Sequence, residues 1–418
     1  MKKKGYWFAA IALAFVSLTV AGCTKKAEVA KNEPVEITMW VYSDWATGKG
    51  GELFRKWADE FVAANDDVSK ITLVGKNDAE LLTGLMSGVG LPDCFTASFR
   101  DGKSLVEAVD YLNLKPFFDA QNADYKNAFD KKALAACIEG DQMYAFPFVG
   151  YVPLIFRNLT VLRKAGINPD DGIPTWDDFV AQLQKIKAAG IDPVHSFAGH
   201  WFAPGTVLGS EESLTIGESG GKTTVKAEQL VPTMEMLLKM KPFTNNMMFG
   251  DEAAAEAFKT NKLGFILAGP WNAEGYDASG VEYDIVPPPA FKNGGHTGGL
   301  RGLDALYAVN TAKKDQVTRW LKYITDYDRL YEFVTKLGRP VLNEKVMSAP
   351  ELQDNPVAKA SALGLLGGID QTDFFRTTVF WVSPIADVST QLLAGQLTAQ
   401  QAAEQMIAKV NALYAEAQ

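Results

Sequence analysis

From residue 35 onward the chain alternates between two hydrophobic periods, and this constrains its fold more than any other feature. Val35-Glu-Ile-Thr-Met-Trp40 reads as a strand of period two. After Gly48, Gly50 and Gly51, the residues Leu53, Phe54, Trp57, Phe61 and Val62 fall on one helical stripe. Ile71-Thr-Leu-Val74 reads as a second strand. A helix over residues 79–87 is stopped by Gly88-Val-Gly90, and Leu91-Pro-Asp-Cys-Phe95 opens a third strand. Strands and helices in alternation predict an α/β fold with parallel strands in sheets flanked by helices.

The remainder keeps this grammar. Asp141-Gln-Met-Tyr-Ala-Phe-Pro-Phe148 is extended and aromatic and reads as a crossing between domains. Pro153-Leu-Ile-Phe156 resumes a strand, and residues 158–165 a helix. Thr175 with Asp178 three residues on forms a helix-start signature, followed at helical spacing by Phe179, Leu183 and Ile186. Residues 262–267 form a buried-type strand running into Ala268-Gly-Pro-Trp271, and three prolines at 287–289 exclude a central strand. The glycine-rich run 294–302 is a second candidate crossing, residues 304–310 a strand, and Val317, Leu321 and Ile324 mark a helix. The C-terminal third is helical, and no internal repeat is evident. With 418 residues, 47% of them apolar, the chain is too long for one ordinary core and predicts two domains.

Residues 1–23 are of another kind. Three lysines precede an apolar run over 6–20 broken only by Ser17 and Thr19. The run is short for about 30 Å of hydrocarbon and reads as an export signal. Val-Ala-Gly-Cys23 resembles the lipobox of bacterial lipoproteins. That resemblance implies a signal peptide over 1–22, lipid on Cys23, a flexible polar tether over 23–34, and a body working outside the cytoplasm on a membrane anchor. The net charge is −9, and the only charges of residues 1–22 are the three lysines, so the body is more acidic still. An acidic surface argues against nucleic acid as a partner. Cys94 and Cys137 either pair or stay as buried thiols; a core of this size needs no staple, which favours the thiols.

Enzyme signatures are weak. Gly217-Glu-Ser-Gly-Gly221 formally matches a nucleophile elbow, but no apolar strand precedes it and no helix pattern follows, so a flexible surface loop is expected. His195 and His200 are off the i,i+4 spacing of a helical metal site. No phosphate-binding loop, metal or cofactor motif appears.

In chain order, several short runs resemble the substrate-binding lipoproteins of ABC importers, the large family that includes maltose-binding protein. They are Ser87-Gly-Val-Gly-Leu-Pro-Asp93; Gly140-Asp-Gln-Met-Tyr-Ala-Phe-Pro147; Phe156-Arg-Asn158 through Ala165-Gly-Ile167; Thr175-Trp-Asp-Asp-Phe179; and Gly264 through Gly269-Pro-Trp271. Arg157 stands where the family usually has Tyr, and Asp178 replaces a common Glu. The resemblance implies a two-lobed, type II periplasmic-binding-protein fold of mixed sheets flanked by helices. Its lobes would take residues 35–145 plus 300–342, and 146–299 plus 343–418. A monomer would capture a mono- or oligosaccharide in the cleft by hinge closure and deliver it to the permease, without catalysis.

Sugars carry apolar ring faces and a rim of hydroxyls, so aromatics paired with carboxylates and Arg are the side chains to seek. Trp271, after a buried strand on a Gly-Pro turn, is the leading candidate, with Asn272 and Glu274 beside it. Tyr42, Asp44 and Trp45 lie just past the first strand, and the resemblance maps Asp44 and Trp45, and Tyr151 past the crossover, onto cleft positions; Phe99, Arg100 and Asp101 follow the Pro-Asp turn, where the family often puts hydroxyl-binding charges. The resemblance also maps Trp381 onto the family's C-terminal stacking Trp. Arg301 and Asp304 flank the glycine-rich crossing, and Trp201 is placed to close over a ligand. Trp40 alternates into the core, and Asp93 caps a strand end. Two readings compete with the sugar binder. One is a secreted glycoside hydrolase or lyase using two of Asp44, Asp101, Glu274 and Asp304. The other is a binder of a non-sugar solute, marked by convergent cations.

Overall fold

A computed structural model describes residues 33–99, 108–211, 214, 216–295, 298–299, 301–367 and 374–416. The expected export signal, Cys23 and most of its tether, Arg100 and Asp101 lie outside the described residues.

Nine strands build two sheets: β1 (Val35–Tyr42), β2 (Val68–Lys76), β3 (Cys94–Ser98), β4 (Ala145–Tyr151), β5 (Leu154–Asn158), β6 (Asp192–Val194), β7 (Leu263–Ala268), β8 (Tyr283–Val286) and β9 (Gly302–Ala308). The first sheet runs in the order β2-β1-β3-β9-β4 and the second β8-β5-β7-β6. In the first, β1 is parallel to β2 and β3, while β9 is antiparallel to β3 and β4. In the second, β7 is parallel to β6 and antiparallel to β5. The expected parallel α/β pattern holds at the N-terminal edge, and strands returning from the other sheet mix it.

Each sheet carries its own core. The helix Gly48–Ala64 buries the stripe Leu53, Phe54, Trp57 and Phe61 and turns Arg55 and Lys56 to solvent. Phe54 and Trp57 are fully buried with Trp320 and Phe333 from later helices. Each such side chain contributes about 2–3 kcal/mol by leaving water. On the second sheet, the helix Trp176–Ala188 starts from the expected capping box. The Thr175 hydroxyl accepts from the Asp178 N–H, and the Asp178 carboxylate accepts from the Thr175 N–H, both at 3.1 Å. Trp176, Phe179, Leu183 and Ile186 then point into one core with the helices Ala227–Met240, Phe374–Leu393 and Ala399–Glu416.

The connection between sheets is short. β4 becomes β5 through Val152 and Pro153 alone. Gly299, on the way back to β9, lies against Pro153: a Cβ there would be 2.9 Å from the proline ring. A further segment, just before the expected boundary at 342/343, runs along the outer edge of β4. The Gly150 N–H donates to the Pro340 carbonyl at 3.1 Å, and the Leu342 N–H to Phe148 at 2.9 Å.

Three smaller readings can be placed. Cys94 and Cys137 are unpaired and buried, and burial pushes both thiols well up. The elbow-like Gly217–Gly221 run is an ordered hairpin rather than a flexible loop. Glu218–Ser219 pairs with Lys222–Thr223, and Gly220 and Gly221 both take positive φ, as a tight turn of this hand requires. Among the described residues, no helix is long and apolar enough to cross a membrane.

Candidate ligand-binding crevice

The residues that follow β1, the end of the helix Tyr327–Leu337 and the Gly-Pro turn after β7 converge on a small pocket between the two sheets. Helices on one side bring Asp44, Lys49 and Lys336, and the turn after Tyr327–Leu337 brings Arg339; the other side brings Trp271 and Glu274.

Trp271 is the one large side chain of this wall with an open face. It is 36% exposed, whereas every other described tryptophan is at most 8% exposed. Gly269 makes the pose possible. A Cβ at Gly269 would stand 2.2 Å from the indole, so the ring folds back over bare backbone at the strand end. The Tyr151 ring meets the indole edge-on at 5.4 Å, and Phe202 does so at 6.3 Å. Phe202 is itself buried under Phe249, which His200 covers in turn. Neither Phe202 nor Phe249 was singled out from the sequence; both act as buttresses. Gly302 does for Tyr151 what Gly269 does for Trp271: it pairs with Tyr151 across β9 and β4, and a Cβ there would lie 2.0 Å from the ring.

Beside the pocket, outside its lining, lies a part-buried polar pair. The Tyr42 hydroxyl donates to the Asp304 carboxylate at 3.2 Å. Asp304 is 7% exposed. Burial first, then the nearby Asp78 carboxylate, raises its carboxyl to about 7, against the pull of the Tyr42 hydrogen bond and Arg339. Burial and the same Asp304 push the Tyr42 phenol well up. Asp44 is ion-paired with Arg339, whose guanidinium also lies 5.6 Å over the Trp45 ring. Arg339 was missed in the sequence because it arrives from almost 300 residues away, at the start of the segment that edges β4. Its neighbours Gly338 and Pro340 were the only local signal of a turn there.

Other expected site residues sit elsewhere. Trp45 touches the pocket at its margin, but the ring is 1% exposed, stacked on Phe54 and met edge-on by Tyr42, Phe148 and Phe333. It supports the wall and offers no face. Trp381, the expected stacking Trp, is 1% exposed within the second sheet's core. Trp201 is 8% exposed in the same core and starts the helix Phe202–Leu208, which sets Phe202 beneath Trp271. Arg301 is buried and ion-paired with Asp130 at 3.2 Å. Phe99 is fully buried. Asp93 anchors the strands from behind, accepting from the Thr38 N–H at 2.8 Å and from Lys313 at 2.9 Å. Trp40 packs in the core, as its alternation predicted.

His195 is structural. His195 is fully buried; its Nδ1 faces the Ser196 carbonyl at 2.9 Å and its Nε2 accepts from the Leu267 N–H at 3.1 Å. Burial lowers its pKa to about 4, so it stays neutral. Among the described residues, no cluster of three or more His, Cys, Asp or Glu is arranged to hold a metal ion.

Comparison with known proteins agrees with this architecture. The family model described as bacterial extracellular solute-binding protein matches residues 45–328. An arabinooligosaccharide-binding protein of Bacillus subtilis is 22% identical over 243 residues, covering 57% of this chain but only 55% of that protein. The maltodextrin-binding protein MdxE of the same organism is 22% identical over 373 residues, covering 86% of this chain and 85% of its own. Among solved structures, the acarbose-binding GacH receptor of Streptomyces glaucescens has a TM-score of 0.78 at 17% identity, covering 92% of this chain and 100% of the other. The cyclic alpha-maltosyl-1,6-maltose binding protein of Arthrobacter globiformis has a TM-score of 0.75 at 15% identity, with the same coverage. At these identities the structures speak for the fold, and the family model spans more than half the chain: it belongs to the bacterial extracellular solute-binding proteins.

Proposed function

We propose that this protein captures a carbohydrate in the crevice between its lobes and delivers it to the permease of an ABC importer. The observation that carries this reading is Trp271, an indole left open at the pocket beside Tyr151, facing carboxylates and a guanidinium across the gap. Such a pairing suits a ring with an apolar face and a hydroxyl rim. An apolar solute would desolvate the charged groups lining the pocket, Lys49, Lys336 and the Asp44–Arg339 pair, while offering no hydrogen bond in return. The arabinooligosaccharide and maltodextrin binding named for two relatives supports the same ligand class.

In this reading one lobe comprises residues 35–151 with 302–355 and the other 154–299 with 356–418, so the first crossing falls after β4 instead of at the expected 145/146. The connections at Val152-Pro153, at Gly299 and near Asn355 act as the hinge. Trp271 stacks on the sugar ring, Tyr151 supports it, and Asp44, Arg339, Tyr42 and Asp304 take hydroxyls. Near neutral pH, Asp304 can either accept or donate. Cys23 carries lipid, and the body works as a monomer on the outer side of the membrane.

Titration calorimetry of the body from residue 34, against mono- and oligosaccharides of arabinose and glucose, tests the proposal. At least one sugar should bind and be recovered unchanged after long incubation. Trp271→Ala should weaken that binding by about thirtyfold, roughly 2 kcal/mol. No binding by the parent, or unchanged binding by the variant, overturns the reading; shortened products would mark a hydrolase instead.

A further inference from the structure

The two walls of the crevice carry opposite free charges. On the side of the five-stranded sheet, Lys49 opens the helix Gly48–Ala64 and Lys336 closes the helix Tyr327–Leu337; both are exposed. On the other side, Glu274 lies in the first turn of the helix Ala273–Ser279, with Asp277 one turn on. All four line the same pocket. Among the described residues, Lys49, Lys336 and Glu274 have no ion pair, and the Asp277 carboxylate accepts only from the Tyr283 hydroxyl at 2.7 Å. Elsewhere in the pocket, Asp44 and Arg339 already satisfy each other.

Glu274 also reaches the facing wall. Its Oε1 lies 3.6 Å from where a Cβ on Gly48 would stand. A side chain at Gly48 would close that gap, and its φ of +52° favours glycine. The helix behind it has no side-chain N-cap and no acidic residue in its first turn, so its opening N–H groups favour an anion supplied from outside.

We propose that Glu274 is an interlobe latch, docking against the Gly48-Lys49 turn, with Asp277 and Lys336 as a second, weaker contact. The latch biases the protein toward its closed form before ligand arrives. This rests on the two-lobed capture proposed above, but assigns Glu274 to lobe closure instead of to the ligand. A carboxylate that only touched ligand would not influence the empty protein.

The test therefore uses the unliganded protein. One fluorophore on each lobe reports the distribution of interlobe distances for the parent, Glu274→Gln, Glu274→Lys, Lys49→Glu and the swap Glu274→Lys/Lys49→Glu. The single variants should shift the distribution toward open forms, with Glu274→Lys shifting it most. The swap should return it toward the parent. The open-to-closed ratio should change by about two- to fivefold, the size of one partly exposed ion pair, and the differences should fade near 1 M salt. An unmoved distribution in Glu274→Lys, or a swap as open as the single variants, overturns the latch. Because no ligand is present, either result leaves the carbohydrate reading to its own test.

Discussion

The two sides of the crevice are built on different principles. The side of the five-stranded sheet is polar and already satisfied internally: Tyr42 bonds Asp304, Arg339 pairs with Asp44, and Trp45 lies sealed beneath them. The facing side has one open indole, held over Gly269 and braced by Tyr151 and Phe202. Trp45 and Trp271 make the contrast sharp. Both follow a strand by a few residues, and one is enclosed while the other is left open. A tryptophan at a strand end thus becomes core or surface according to what other segments bring over it.

Substitution of the two rings should separate these roles. Trp45→Ala removes a ring packed on four aromatics and should cost about 3–5 kcal/mol in urea unfolding. Trp271→Ala should cost less than about 0.5 kcal/mol in the same assay, its effect being on binding. Equal losses would dissolve the distinction between the two walls.

The polar wall can be probed through pH. Asp304 titrates at about 7 in the folded protein, above the roughly 3.9 of an unfolded chain. Between these values the native state holds a proton that the unfolded state has released. The stability from this group is therefore complete below about pH 4 and is lost as pH rises through 7. Asp304→Asn should abolish that decline and, above pH 7, be more stable than the parent by on the order of 2 kcal/mol. Denaturant midpoints at pH 5, 7 and 8 check the sign. A parent whose stability rises over this range would show that Asp304 is ionised in the fold.

The smallest expected effect tests the join between the walls. Gly302→Ala drives a methyl into the Tyr151 ring and should destabilise by roughly 1–2 kcal/mol while displacing the brace of Trp271. Ligand affinity should fall along with stability. Full affinity in a destabilised variant would separate Tyr151 from the site.

What the sequence disclosed follows the range of the interactions. The capping box at Thr175, the buried stripe from Leu53 to Phe61 and the strand ending in Gly-Pro-Trp271 are settled within a few residues, and each appears where its pattern predicted. Trp45, Trp381 and Trp201 were expected in the crevice and lie in cores, because the groups that enclose them come from distant segments: Phe333 reaches Trp45 from nearly 290 residues away. Arg339 was invisible for the same reason. The mixed sheets were legible only as an alternation; the antiparallel placing of β9 between β3 and β4 depends on a long return that no local pattern encodes.

The lone uncovered indole has a practical corollary. Of the eight tryptophans described, seven are shielded from solvent, so a water-soluble collisional quencher such as iodide should act chiefly on Trp271. The chain thereby contains its own optical gauge of occupancy: a ligand seated on that ring should shield it, and light emission would count filled molecules with no dye attached.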